Sequence, residues 1–207
     1  MRRALFVATT SLTRAGVETC ADFLEAVAPR LGAFWLPLPI ELCKGLPADL
    51  GPLEKYLEPL LALYYEVDAN WRCYGSVEEL KRREAAAVRL AALAIKARVF
   101  NKIDLEEWDS YFSRRPAKPP APSLVFGAVR GEGLVICGTY PPNPIETAHE
   151  VWHALPPSAR AELARWISTY IAFITESVNL DEAYFKLIRL GWREKYREII
   201  AVVRSGN

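Results

Sequence analysis

Residues 141–153 read PPNPIETAHEVWH, and this stretch predicts a capped α-helix. Asn143 is suited to the N-cap position, and Pro144 to the first helical position. Glu146 stands three residues after Asn143, where its carboxylate can reach back to the backbone of the cap. We therefore expect a helix that begins at Pro144 and ends near Leu155, just before a pair of prolines.

This helix contains the pattern His-Glu-x-x-His at residues 149–153, here called the HExxH segment. Residues i and i+4 of an α-helix lie one turn apart on one side, so His149 and His153 can share a metal ion. Glu150 is rotated about 100° from His149, where it can face a metal-bound water and accept its proton. Because two imidazoles and one carboxylate leave a fourth position of Zn²⁺ open, the pattern predicts a catalytic zinc site.

These three residues, together with the strand-like stretches before them, resemble the active-site helix of the zincin metallopeptidases. The resemblance covers about residues 123–185. It implies a small twisted sheet over an active-site helix with a second helix behind it, and a strand that binds an extended peptide substrate. The chain has no third histidine and no methionine after Met1, which excludes the branch with an H-E-x-x-H-x-x-G-x-x-H pattern and a Met-turn.

The remaining gluzincin branch implies a glutamate from a later helix as the third zinc ligand. Glu176 is the first choice, with Asp181 as a residue that orients a ligand histidine. Glu182 is the runner-up, although residues 179–182 also form a capping box, and Glu162 ranks third.

Peptide hydrolysis also needs a group that stabilises the developing oxyanion. Tyr184, Tyr170 and Tyr140 are candidates for this role, of which we choose Tyr184, and each also fits a core position. The predicted function is a zinc-dependent peptidase. The alternatives are a non-catalytic helical interaction module, in which the HExxH segment is structural, and a metal hydrolase that acts on a non-peptide amide or ester.

The chain before this helix predicts an α+β fold in which helix dominates. Residues 4–9, 17–28 and 33–40 read as a β-α-β unit, and residues 53–112 read as helical throughout. Capping residues at Ser76 and Asp104 mark two helix starts within that region.

Residues 113–122 contain four prolines and predict an extended linker. After it, residues 123–130 and 133–140 read as the two strands of a β-hairpin. We therefore expect an N-terminal region at 1–112, a linker at 113–122 and a zincin-like region at 123–207.

Composition limits the partners and the location of the protein. The net charge is only +1, which gives no general electrostatic case for nucleic acid or an anionic membrane. The apolar runs are far shorter than the roughly 20 residues of a membrane-spanning helix, and the amino terminus does not resemble a signal peptide, so a cytoplasmic protein is expected.

Four cysteines without a C-x-x-C pair disfavour a zinc knuckle or a redox motif. The sequence leaves open whether they are thiols or disulfides, and it leaves the oligomeric state open.

Overall fold

The computed structural model describes residues 6–113, 120–127 and 133–205. The fold is α+β and helix-dominated with a small sheet, as predicted. The chain divides into two compact units. Unit 1 comprises residues 1–84 and 117–142, and unit 2 comprises residues 85–116 and 143–207.

Unit 1 is built on a five-stranded sheet with the strand order β3-β2-β4-β1-β5, in which every strand pair is parallel. Its elements are β1 (Val7–Thr10), α1 (Arg14–Val27), β2 (Phe34–Pro39), α2 (Ile40–Cys43), α3 (Glu54–Glu66), β3 (Trp71–Gly75), the start of α4 (Val77–Phe100), β4 (Ser123–Phe126) and β5 (Leu134–Ile136). The predicted β-α-β start of the chain is therefore confirmed as β1, α1 and β2.

Helix α1 shows why these residues fold onto a sheet. Its buried side chains include Val17, Cys20, Ala21 and Leu24, which follow the i, i+3, i+4, i+7 spacing of one helix face. They belong to the same buried cluster as residues of β1, β2 and β4. Two disulfides, Cys20–Cys137 and Cys43–Cys73, also lie within this unit, which settles the question that the sequence left open.

Two expectations about the strands are wrong. Strands β4 and β5 do not form a hairpin, because each pairs in parallel with β1, on opposite sides of it. The glycines between them indicate a reversal of the chain but do not fix which strand each one pairs with, and residues 128–132 lie outside the described residues. The region 53–112 is not helical throughout either, since β3 interrupts it and pairs with β2.

Unit 2 consists of helices. It contains the rest of α4, then α5 (Leu105–Tyr111), α6 (Pro144–Val151), α7 (Pro157–Thr175), α8 (Leu180–Arg189) and α9 (Trp192–Ser205). Helix α7 packs against α5, α6 and α8, and α8 packs against α9. Within the described ranges, no helix has the length and hydrophobicity that crossing a membrane requires.

The two units do not follow the predicted boundaries at residues 112 and 123. Strand β4 lies between β1 and β2, so the sheet takes residues 123–126 from beyond the proline-rich segment. Much of the predicted linker, residues 114–119, lies outside the described residues. At its end, the carbonyl of Pro122 accepts a hydrogen bond of 3.0 Å from the backbone N–H of Trp35.

Candidate functional site around the HExxH segment

Helix α6 begins as the sequence predicts. The Asn143 side chain accepts hydrogen bonds of 3.0 Å from the backbone N–H groups of Ile145 and Glu146. The Glu146 carboxylate accepts a bond of 2.9 Å from the backbone N–H of Asn143, which completes the capping box. Pro144 is the first residue of the helix, so the capping residues determine where α6 begins, five residues before His149.

The end of α6 differs from the prediction. The α-helix stops at Val151, whose backbone has φ −121° and ψ −5°, and a short 3₁₀ turn follows over Trp152–Ala154. His149 therefore lies in the α-helix, whereas His153 lies beyond its end. The two histidines are not related by a continuous α-helical turn, which was the geometry on which the shared metal ion depended.

Trp152 anchors this end of the helix in the core of unit 2. Its side chain is only 1% exposed, and its ring stacks on those of Trp108 (6.1 Å between centroids) and Phe112 (4.7 Å). The indole Nε1–H donates a hydrogen bond of 2.7 Å to Oδ1 of Asp109. The same carboxylate forms an ion pair with Arg160, with N–O distances of 2.6 and 2.7 Å. Trp152 thus joins the end of α6 to α5 and, through Asp109, to α7.

Both histidines also contact the end of α5. The His149 ring packs edge-on against the ring of Phe112, with centroids 5.1 Å apart and planes at 72°. Nε2 of His153 lies 2.8 Å from the carbonyl oxygen of Phe112, and the tautomer protonated at Nε2 donates to it. Phe112 is the C-cap of α5, where helix carbonyls lack partners within the helix, so His153 caps that end.

The proposed third ligand lies at the end of a different helix. Glu176 is the exposed C-cap residue of α7, and its backbone carbonyl accepts a bond of 3.3 Å from Nζ of Lys186. The Glu182 carboxylate accepts bonds of 2.9 Å from the backbone N–H of Val178 and from Lys186, and these contacts lower its pKa. The backbone N–H of Glu182 donates a hydrogen bond to the side chain of Asn179. The contacts of Glu182 are therefore those of the capping box at residues 179–182.

The other candidates occupy structural positions. Tyr184 is 2% exposed in α8, and its pKa is raised mainly by burial and further by the nearby charge of Glu146. Tyr170 is equally buried in α7, whereas Tyr140 is partly exposed and belongs to unit 1. Glu150 and Asp181 are half-buried in α6 and α8, and Glu162 pairs with Lys195 at 2.7 Å.

The candidate ligands do not come together as the residues are placed. Within residues 6–113, 120–127 and 133–205, no three histidine, cysteine, aspartate or glutamate side chains come together to hold a metal ion. A catalytic zinc needs three protein ligands.

The sequence analysis missed a cluster of hydroxyl groups at the carboxyl ends of β1 and β5. The Thr10 hydroxyl accepts from the backbone N–H of Thr139 at 2.9 Å and donates to the carbonyl of Ser11 at 3.1 Å. Thr13 caps α1 through Gly16 and hydrogen-bonds to the Thr139 side chain at 2.9 Å. A Cβ at Gly16 would lie closer than 3.0 Å to three of these hydroxyl oxygens. The cluster therefore packs the start of α1 against the end of β5.

The sequence analysis also missed a second apolar face on α4. One face is buried and is formed by Leu90, Leu93, Ala94 and Ala97. The opposite face is exposed and is here called the α4 stripe; it consists of Ala85, Val88, Ala92, Ile95 and Val99. Val88 is 72% exposed, Ile95 61% and Val99 69%. The signal was present in the sequence, because a helix with apolar residues on both sides needs two partners.

Comparison with known proteins adds no further assignment. No protein-family model matches the chain, and no significant match is found among curated proteins or solved structures. A function for this chain is therefore assigned from the geometry and the surface chemistry of its two units.

Proposed function

We propose that the protein is a non-catalytic interaction protein and that the α4 stripe is the face that binds another protein. The exposed stripe is the observation that carries this proposal. Single exposed apolar residues are common on protein surfaces, but a continuous apolar row along a helix marks an interaction surface. The other face of α4 is buried, whereas the residues of the stripe are exposed.

The spacing of the stripe supports a helical partner. Its residues follow one another at intervals of three, four, three and four along α4. This is the heptad spacing of helices that pack side by side, with the apolar residues as knobs between those of the partner. A flat ligand or an extended peptide would not require this repeat.

The contacts of the HExxH segment support a structural role for that segment. His149, Trp152 and His153 all contact α5, through ring packing, stacking and a hydrogen bond to a carbonyl. These three residues therefore hold the end of α6 against the end of α5.

Photo-crosslinking in the cells that produce the protein tests this proposal. A diazirine amino acid at position 95 places the reactive group on the stripe, and the same residue at position 178 provides a control on another exposed apolar site. We expect one discrete crosslinked species from position 95 and none of the same mass from position 178. The absence of any adduct at position 95 would overturn the proposed interaction face.

The zinc-dependent hydrolase is the second candidate, and one observation favours it. His153 is exposed, and its Nε2 is held by a backbone carbonyl. Metal-binding histidines commonly use one ring nitrogen in this way while the other binds the ion. This candidate requires the third ligand to move toward the histidines, because the described side chains do not form a three-ligand group.

Zinc stoichiometry separates the two candidates. An interaction protein binds no stoichiometric zinc and shows no thermal shift when zinc is added. A hydrolase retains about one zinc per chain, loses it in His153→Ala, and in Glu150→Gln keeps the metal while losing peptide cleavage. Glu176→Ala and Glu182→Ala, measured alongside, would identify the third ligand in that case.

A further inference from the structure

We infer that the partner of the α4 stripe is the α4 stripe of a second copy of this chain. This inference rests on the proposed interaction function and names its partner. The argument comes from the sizes of the stripe residues and from the charges beside them, all of which lie on the single helix α4.

From Ala85 to Ile95 the stripe alternates small and large side chains in an order that is complementary to itself. When two α4 helices run antiparallel with Val88 opposite Ala92 of the second copy, Ile95 falls opposite Ala85, because a step of seven up one helix is a step of seven down the other. Val88 and Ile95 then each meet an alanine, and Val99 falls opposite Lys81 of the second copy. Two branched residues do not have to share one layer, so the helices can approach closely along the stripe.

On one edge of the stripe, the charges also match those of a second copy in the antiparallel pair. In heptad notation Ala85 and Val88 take the a and d positions, so Glu84 and Arg98 take the g positions on one edge. An antiparallel pair brings g positions together and places Glu84 of each copy beside Arg98 of the other. In the described part of the chain, neither Glu84 nor Arg98 forms an ion pair within its own copy.

The other edge of the stripe carries Arg89 and Lys96, and the antiparallel pair brings Arg89 of each copy close to Arg89 of the other. Lys96 is already paired with Glu107 at 2.7 Å, and Arg89 donates to Ser110 at 3.0 Å, so both side chains are partly held within the chain. A parallel pair would instead place Glu84 beside Arg89 of the second copy. In both orientations, therefore, Glu84 meets a basic residue of the other chain, and it is the residue on which the test depends.

The test is sedimentation equilibrium of the purified full chain over concentrations from about 1 to about 200 µM, the range in which short helical interfaces associate. We expect a reversible dimer. Ile95→Glu places a charge in the stripe and should weaken the dimer at least about 100-fold. Val178→Glu changes an exposed residue outside the stripe and should leave the dissociation constant unchanged. Circular dichroism of each variant checks that the fold is kept.

Charge exchange then tests the register of the pair. Glu84→Arg should raise the dissociation constant roughly 3- to 10-fold, because it removes two surface ion pairs and adds two repulsions. Adding Arg98→Glu restores an antiparallel pair, and adding Arg89→Glu restores a parallel pair. If neither second substitution restores dimerisation, or if the wild-type chain stays monomeric at every concentration, self-pairing is wrong. The interaction function itself would still stand if position 95 crosslinks to a different protein in cells.

Discussion

Unit 1 and unit 2 hold their helices in place by different chemistry. Unit 1 contains all four cysteines, and its disulfides join α1 to the residue after β5 and α2 to β3. Unit 2 contains no cysteine, and its helices α5, α6 and α7 meet at Trp152 and Asp109. A disulfide acts chiefly by restricting the unfolded chain, whereas stacking and hydrogen bonds act in the folded state. The two units should therefore respond to different perturbations.

The largest expected effect is the loss of both disulfides. The loops that they close span 117 and 30 residues, and the entropy of closing them corresponds to about 5 and about 4 kcal/mol of the free energy of unfolding. We expect a reducing agent to lower the stability of unit 1 by several kcal/mol. Hydrogen exchange measured by mass spectrometry should show faster exchange in β1, β2 and α1, while α7, α8 and α9 keep their protection.

Paired substitutions provide the control for reduction. Cys43→Ala with Cys73→Ala removes only the shorter loop and should have the smaller effect of the two pairs. Cys20→Ala with Cys137→Ala removes the longer loop. Equal exchange in unit 1 before and after reduction would contradict the stabilising role of the disulfides.

The corresponding test in unit 2 is Trp152→Ala. It removes a ring that is 1% exposed and leaves Asp109 without the indole donor, so a loss of about 3 to 5 kcal/mol is expected. Trp152→Phe keeps an aromatic ring in the stack but loses the hydrogen bond and part of the buried ring, and it should cost less than Trp152→Ala, about 2 kcal/mol. Chemical unfolding of both variants, with exchange rates followed in α5 and α7, measures the difference.

A substitution at an exposed residue, Val178→Ala, is the control for this prediction. Val178→Ala changes a side chain that is 88% exposed and should leave stability within about 0.5 kcal/mol of the wild type. If Trp152→Ala were as stable as Val178→Ala, Trp152 would not be the residue that joins α6 to α5. The structural interpretation of the HExxH segment would lose its main support.

The two ends of α6 also show how far the sequence could predict the candidate site. The start depends on Asn143, Pro144 and Glu146, which interact within one turn, so the local pattern was sufficient. The end depends on Trp108 and Asp109, which are distant in sequence and come close only in the fold. The HExxH pattern predicts imidazoles one helical turn apart, but the α-helix ends at Val151, before His153.

The sheet shows the same limit. The strand character of residues 123–126 and 134–136 was predictable from their composition, and so was the β-α-β start of the chain. Their partner was not predictable, because insertion of β4 between β1 and β2 depends on contacts between distant parts of the chain. Two strands that are close in sequence predict a hairpin unless a third strand between them is known.

The smallest expected effect is a pH dependence at the start of α8 in unit 2, where the Glu182 carboxylate pairs with Lys186. The pKa of Glu182 is lowered first by its hydrogen bond with Lys186 and then by the backbone N–H of Val178. A carboxylate with a lowered pKa stabilises the folded state above its ordinary pKa, and this contribution is lost as the pH falls through the lowered value. The disulfides of unit 1 do not titrate. Acid should therefore loosen residues 176–182 without affecting the links in unit 1.

Carbon-13 NMR of the Glu182 carboxyl group, followed from about pH 2 to about pH 7, measures this pKa directly. Lys186→Met removes the first cause and should move the pKa back toward its ordinary value, whereas Lys186→Arg keeps the charge and should retain most of the shift. Lys186 also donates to Ser177 and to the carbonyl of Glu176, so Ser177→Ala separates a loosened loop from a lost ion pair. An unchanged titration midpoint in Lys186→Met would mean that the capping bond from Val178 alone sets the pKa of Glu182. The acid sensitivity of α8 would then come from its N-terminal cap and not from the ion pair.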